Sequence, residues 1–360
     1  MSDVDRARQK TTSPPVGRRK RIATIVAGLA LGLAGGMPAA HAAIDAPMYY
    51  LHSFGSQGKP IATLTWGLLG LSVAVVLIIS VAVVVGVLLR RTRAVPLTAG
   101  RLPVERAGSG MPWIYIGLGL TVVALAGFVA WTMATMAAIA SPAQAPKITI
   151  AIRGHQWWWE LEYRTGDPSR QFTTANEIHV PVGEPVRLEF TTADVIHTFW
   201  VPAIAGKTDL IPGQTNVAWI EADAPGVYRG QCNEYCGQQH AHMRLTLFAD
   251  PPDKFQAWWD AQVQAAHPPE AVARGKAEFA RQCSACHTVR GTLAGGQVGP
   301  DLTHLMSRST IAAGMLPNTI GNLSGWVANP QVIKPGSKMP NLDLSGPELD
   351  AVRSYVLTLK

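Results

Sequence analysis

Two short clusters hold all four cysteines of this 360-residue chain. Cys283, Cys286 and His287 form Cys-Ser-Ala-Cys-His. That spacing lets two thiols form thioethers to haem vinyl groups while the adjacent imidazole binds the iron, the attachment signature of a c-type haem. Cys232 and Cys236 lie in Cys-Asn-Glu-Tyr-Cys-Gly-Gln-Gln-His-Ala-His-Met, which packs two thiolates, two imidazoles and a thioether into twelve residues. This soft donor set suits copper. A mononuclear copper site needs one Cys, two His and a weak Met, so the second Cys allows two thiolates to bridge two metals. Met243 favours copper over zinc, which rarely takes a thioether. On ligand types alone, a disulfide or a zinc site remains an alternative. A chain that commits every thiol to metal or haem reads as an electron carrier.

These clusters must be carried by domains, and composition places the domains outside a membrane. The chain is 48% hydrophobic and 15% charged. Ile61–Leu89 and Trp113–Ile139 contain no charged residue, and each exceeds the ~20 residues that span a bilayer. The intervening Arg90–Arg106 carries a net charge of +4, so the positive-inside rule puts it in the cytoplasm and everything after about residue 140 on the outer face. The N-terminus reads as a secretory signal: Arg18-Arg19-Lys20-Arg21, an apolar Ile22–Gly35, and a small-x-small cleavage site at Ala40-His41-Ala42. An uncleaved anchor fits the same pattern. The formal charge of +7 resides in these two basic stretches, while residues 107–360 sum to −2. That distribution argues against nucleic-acid binding.

After Ser141-Pro142 the hydrophobic period becomes two. Ile148, Ile150 and Ile152, then Val186, Leu188 and Phe190, then Met243, Leu245 and Leu247 alternate with polar or small residues. Short alternating runs broken by Gly, Pro and Asp predict an antiparallel sandwich or barrel to about Asp250. Residues 251–266 read as a short helix and Pro268-Pro269 as a stiff linker. The remainder is helical and Gly-rich. Gly275 and Phe279 precede the haem motif, and a last helix begins near Ser345 with Leu349, Val352, Tyr355 and Val356 as its apolar face. Met339, in Lys-Pro-Gly-Ser-Lys-Met-Pro, is the expected sixth iron ligand; Met306, Met315 and His304 compete.

Cys232-x-Glu234-x-Cys236-Gly237-x-x-His240-x-x-Met243, with His197 upstream, resembles the dinuclear copper A site of cytochrome c oxidase subunit II. Asp194–Pro202, Gly206–Gly213 and Gly154-His155-Gln156-Trp157-Trp158-Trp159 extend the likeness over residues 45–250. Residues 271–360 resemble a class I cytochrome c, and the fusion resembles caa-type oxidases. The fold this implies is a two-helix transmembrane hairpin (43–140), an all-β cupredoxin-like domain (141–266) and an all-α class I cytochrome c domain (267–360), after a signal peptide (1–42).

The resemblance implies that Cys232 and Cys236 bridge two coppers and that His197 and His240 each bind one. It makes Met243 a weak ligand and Glu234 a ligand through its carbonyl, with the Glu234 carboxylate reaching a magnesium ion shared with the catalytic subunit. Trp157 becomes the surface electron-entry residue. His242 falls off the motif spacing and is read as non-ligating, and His155 and His179 as surface or packing residues. In the cytochrome domain, Cys283, Cys286, His287 and Met339 would hold haem c.

The implied function is electron entry into a haem-copper terminal oxidase of the bacterial plasma membrane, for reduction of oxygen to water coupled to proton translocation. Partners would be subunit I and other oxidase subunits, cytochrome c or another periplasmic reductant, and membrane lipid. The fusion would hold haem near copper at an effective concentration on the order of millimolar. Glu105 is the one acid near the second helix that could serve proton uptake. A copper-A-type nitric oxide reductase subunit remains an alternative. A quinol oxidase subunit would lack the copper ligands, and a metal-delivery or redox-sensing protein would not need a covalent haem in tandem.

Overall fold

Gly58–Arg90 (α1) and Met111–Ile139 (α2) are helical throughout, with no charged residue between Lys59 and Arg90 or anywhere in α2, and with most described side chains exposed. Both are long and apolar enough to cross a membrane. Apolar faces pointing outward all round are what lipid, rather than a protein core, would cover. The computed structural model describes residues 48–90 and 110–360. The signal segment with its cleavage site, the arginine loop beyond Arg90, and Glu105 lie outside the described residues.

The hairpin is joined to the domain above it. Gly67 lies where a Cβ would meet the Trp131 ring at 2.6 Å, so the two helices approach closely there. At their outer ends, Lys59 pairs with Asp223 at 2.6 Å and the Trp219 indole donates to the Ile139 carbonyl at 3.0 Å.

Ten strands then form two five-stranded sheets. The first orders β3 (Phe172–Ala175), β2 (Trp158–Arg164), β1 (Ile148–His155), β5 (Val186–Thr192) and β8 (Asn216–Ile220). The second orders β4 (Glu177–Pro181), β10 (Arg244–Asp250), β9 (Gly226–Cys232), β6 (His197–Trp200) and β7 (Thr208–Leu210). The ladders are antiparallel except β1 with β5 and β10 with β4. The expected alternation is realised: Ile150, Ile152, Leu188, Phe190, Leu245 and Leu247 are all buried in one core. A helix, α3 (Pro252–Val263), closes this cupredoxin-like domain, with Phe255 and Trp259 buried and Trp259 packed against Tyr163, Phe172 and Phe255.

The last domain has its own core. α4 (Ala273–Gln282) crosses α7 (Gly346–Val356), and a Cβ on Gly275 would lie 2.1 Å from the Ala351 carbonyl oxygen. Only a glycine permits that approach. Phe279 and Tyr355 meet one turn further, their centroids 5.2 Å apart. A short hairpin of β11 (Thr310–Ile311) and β12 (Leu316–Pro317) and the helices α5 (Ile320–Ala328) and α6 (Pro330–Ile333) complete the domain. Ser345 and Glu348 form the capping box of α7.

The stretch between the domains is not a free tether. Arg290 donates to the carbonyls of Gln262 and Val263, and the Ala266 amide donates to the Arg290 carbonyl. Across the seam, the buried Glu177 carboxylate accepts from the amides and hydroxyls of Ser309 and Thr310 at 2.6–3.2 Å. The tandem expected to act through effective concentration is instead packed face to face.

Candidate electron-transfer site

β6 and β9 are neighbours in the second sheet, with Phe199 opposite Cys232. The pairing brings His197 beside Cys232, although they are 35 residues apart. The loop after β9 then turns back, carrying Cys236 and His240 and ending at Met243 before β10. Cys232 and Cys236 Sγ are 3.8 Å apart. His197 Nδ1 lies 3.8 Å from Cys232 Sγ, and His240 Nδ1 lies 3.6 Å from Cys236 Sγ. Met243 Sδ lies 3.9 Å from Cys236 Sγ, and the Glu234 carbonyl oxygen lies 3.2 Å from Cys232 Sγ. The two sulfurs are too far apart for a disulfide, whose S–S bond is about 2.05 Å. Two thiols, two imidazoles, a thioether and a carbonyl facing one buried space fit soft metal ions, and the thioether points to copper.

Local chemistry supports thiolate ligands. The two thiols are coupled: hydrogen bonds from Cys236 and His197 lower the pKa of Cys232 against burial, and Cys236 is pushed up in turn by Cys232 and by burial. Gly154 leaves room for the His197 ring, which a Cβ would meet at 2.7 Å. Asp194 accepts from His197 Nε2 at 2.9 Å and so fixes which ring nitrogen faces the sulfur. Burial opposes ionisation of Asp194, but hydrogen bonds from His197, the Gln156 and Val195 amides and Lys338 outweigh it and hold the pKa below the usual carboxylate range.

The competing histidines are engaged elsewhere. His242 Nδ1 contacts Gln239 Oε1 at 2.6 Å. His155 is buried, stacked on Trp158 and bonded to Glu160. His179 stacks between Phe248 and Trp258 and contacts Asp250.

The haem-motif residues line one cavity. Cys283, Cys286, His287 and Met339 face it together with Phe279, Leu302, Trp326 and Val352. His287 Nδ1 contacts the Pro300 carbonyl at 2.8 Å, which leaves Nε2 toward the cavity. Burial lowers the His287 pKa, favouring the neutral, ligating imidazole, and nearby Arg308 adds to this against the Pro300 hydrogen bond. Gly299 packs against the ring, where a Cβ would stand 2.6 Å from Cε1. This glycine-walled, apolar cavity fits a haem. Burial pushes the Cys283 thiol up to about 11, so it stays protonated, unlike Cys232. Met306 packs into the domain core instead, and both ring nitrogens of His304 contact backbone carbonyls, of Lys360 and Gln264.

Trp157 departs from its expected place. It lies in the turn between β1 and β2, and it is only 8% exposed. It lines the haem-motif cavity while its indole N–H donates to the Cys236 carbonyl at 3.0 Å. The surface tryptophan implied by the resemblance is therefore covered by the cytochrome domain. Sequence reasoning missed Asp194, although it stands three residues before His197. It also missed Glu177 and Lys334, for which the sequence offers no local signal.

A cupredoxin-like domain with a two-thiol soft-metal ligand set is followed by an all-α domain whose cavity is lined by a haem-attachment motif. Residues 165–249 match the family described as cytochrome c oxidase subunit II, periplasmic domain, and residues 272–360 match cytochrome c. The two halves of the extramembrane chain are thus similar, one to a subunit II periplasmic domain and the other to cytochrome c, families that imply copper A and haem c.

Cytochrome c oxidase subunit 2 of Alkalihalophilus pseudofirmus is 40% identical over 217 residues, covering 59% of this chain and 61% of that protein. That of Bacillus sp. strain PS3 is 34% identical over 227 residues, covering 59% and 62%. The chain thus spans less than two thirds of the length of these relatives. The periplasmic domain of cytochrome oxidase subunit II from Bradyrhizobium japonicum is 32% identical with a TM-score of 0.30, covering 34% of this chain and 96% of that domain.

Proposed function

We propose that this chain is the electron-entry subunit of a haem-copper oxidase in the bacterial plasma membrane. One observation carries the reading: Trp157 lines the haem-motif cavity and donates a hydrogen bond to the backbone of Cys236. One side chain therefore touches both centres. When bound, the haem and the copper pair each take up and release one electron. Cys283 and Cys286 would tether the haem through thioethers, with His287 Nε2 and Met339 Sδ on the iron. Cys232 and Cys236 would bridge the coppers, with His197, His240, Met243 and the Glu234 carbonyl completing the set. Electrons would pass from an external reductant such as cytochrome c to the haem, through the Trp157 contact to the copper pair, and on to subunit I. There, oxygen reduction would be coupled to proton translocation.

The division into a signal (1–42), hairpin (43–140), copper domain (141–266) and haem domain (267–360) follows the same reading. The two apolar helices support a membrane anchor with both redox domains on the outer side. The exposed Glu234 side chain is free to reach a magnesium ion at the subunit I interface. Among the described residues Glu234 belongs to no group of three or more potential metal ligands, so further magnesium ligands would come from the partner.

The test is substrate consumption by the detergent-purified complex isolated through this chain, with reduced cytochrome c as donor. Rapid cyanide-sensitive oxygen uptake is expected. Nitric oxide consumption with negligible oxygen uptake would keep the metal assignments and overturn the oxidase.

A further inference from the structure

The loop bearing Met339 does more than present an iron ligand. Lys334, five residues earlier, is 3% exposed. Its Nζ donates to the Trp157 carbonyl at 2.8 Å, the His242 carbonyl at 2.8 Å and the Ala312 carbonyl at 3.0 Å. An ammonium has three protons, and all three are used. Two acceptors belong to the copper domain: Trp157 itself, and His242 between the ligands His240 and Met243. The third belongs to the haem domain. The residues that follow also grip the copper domain. Pro335 accepts from Gln239 at 2.8 Å, Gly336 adopts φ 82° against Gln238, and Lys338 pairs with Asp194 at 3.0 Å.

Burying a cation among neutral carbonyls is costly, and this burial lowers the Lys334 pKa to about 7 against the opposing charge of Cys236. Apolar packing would join the two domains at lower cost. What the ammonium adds is direction: three convergent hydrogen bonds fix one alignment of the loop on the copper domain.

We propose that Lys334 is a positioning residue for electron transfer between the two centres, holding the Met339 loop in a single register against Trp157. This rests on the function proposed above. One electron leaves the haem iron and one arrives at the copper pair; Lys334 neither gains nor loses a bond or a proton.

The test uses the full chain in detergent with both centres loaded, comparing Lys334→Leu with Lys334→Arg. Rapid photoreduction of the haem would be followed by the copper absorption band. The leucine variant removes all three donors and should slow intramolecular transfer about tenfold or more, since a misplacement of about 1 Å can cost up to about 10²-fold. The haem and two-copper spectra should stay unchanged, and arginine, which keeps charge and donors, should recover most of the rate. Hydrogen exchange supplies a readout independent of turnover. Amides 335–340 and 237–243 should lose protection together in the leucine variant, while α4 and α7 keep theirs. If Lys334→Leu does not fold, Lys334→Gln is read in its place. Lost protection with an unchanged rate would reduce Lys334 to structural glue and overturn the proposal, as would no change in either. A wild-type chain that takes up no two-copper centre would instead overturn the function itself.

Discussion

Gly275→Ala tests whether the α4–α7 crossing frames the haem cavity. The new Cβ would stand 2.1 Å from the Ala351 carbonyl oxygen and 2.8 Å from Tyr355 Cβ. The nearer contact is helix backbone, which cannot swing aside, so the helices must separate by about 1 Å to reach ordinary contact distance. Separation would disturb Phe279 against Tyr355, and would move Val352 and Val356, which line the cavity. Overpacking of this kind costs about 1–3 kcal/mol. For a domain of this size each kcal/mol lowers the melting midpoint by about 4–8 °C, so a fall of roughly 8–16 °C is expected at the middle of that range. The assay is thermal unfolding of the full chain followed at the haem Soret band. Gly321→Ala is the control: it lies in α5 with nothing within 4 Å of its Cβ position. There, lower chain entropy should stabilise by about 0.4–1 kcal/mol. If Gly275→Ala melts with the wild type, or both variants shift alike, the close-crossing argument is wrong.

Further predictions follow from other parts of the chain. Glu177→Gln should weaken the seam by about 2 kcal/mol, the worth of hydrogen bonds to a charged group; calorimetry should then resolve separate copper-domain and haem-domain transitions, and one unshifted transition would count against it. His240→Ala should abolish the two-copper EPR signature, whereas His242→Ala, which loses the Gln239 contact, should retain it; the reverse result would reassign the ligand. The Ser345 hydroxyl and amide, with help from Arg281, lower Glu348 from 4.5 to about 2. Its contribution is therefore present above pH 4.5 and lost as pH falls from there toward 2. Glu348→Gln should flatten the acid limb of haem-domain stability in that window, and an unchanged limb would remove the capping box as its cause.

Much of the chemistry was legible in the sequence because it is local. Cys-Ser-Ala-Cys-His needs only one turn to bring two thiols and an imidazole to one face, and the Cys232–Met243 loop supplies most of the proposed copper donors within twelve residues. Hydrophobic period marked the two long helices and the strands, since burial on one face imposes it. Gly275 could be singled out through the resemblance to class I cytochrome c, which implies close packing of the first and last helices.

Choosing among distant candidates required the tertiary structure. Met339 and Met306 are chemically alike, and the fold turns one toward the cavity and packs the other into the core. His197 reaches Cys232 only through the pairing of β6 with β9. The relation between the two domains had no sequence signature, because it depends on surfaces assembled from many segments. Glu177, Lys334 and Trp157 meet their partners across 79–177 residues of chain. No periodicity or motif records such encounters, so sequence specified two clusters of candidate ligands, and only the fold decided that Trp157 touches both.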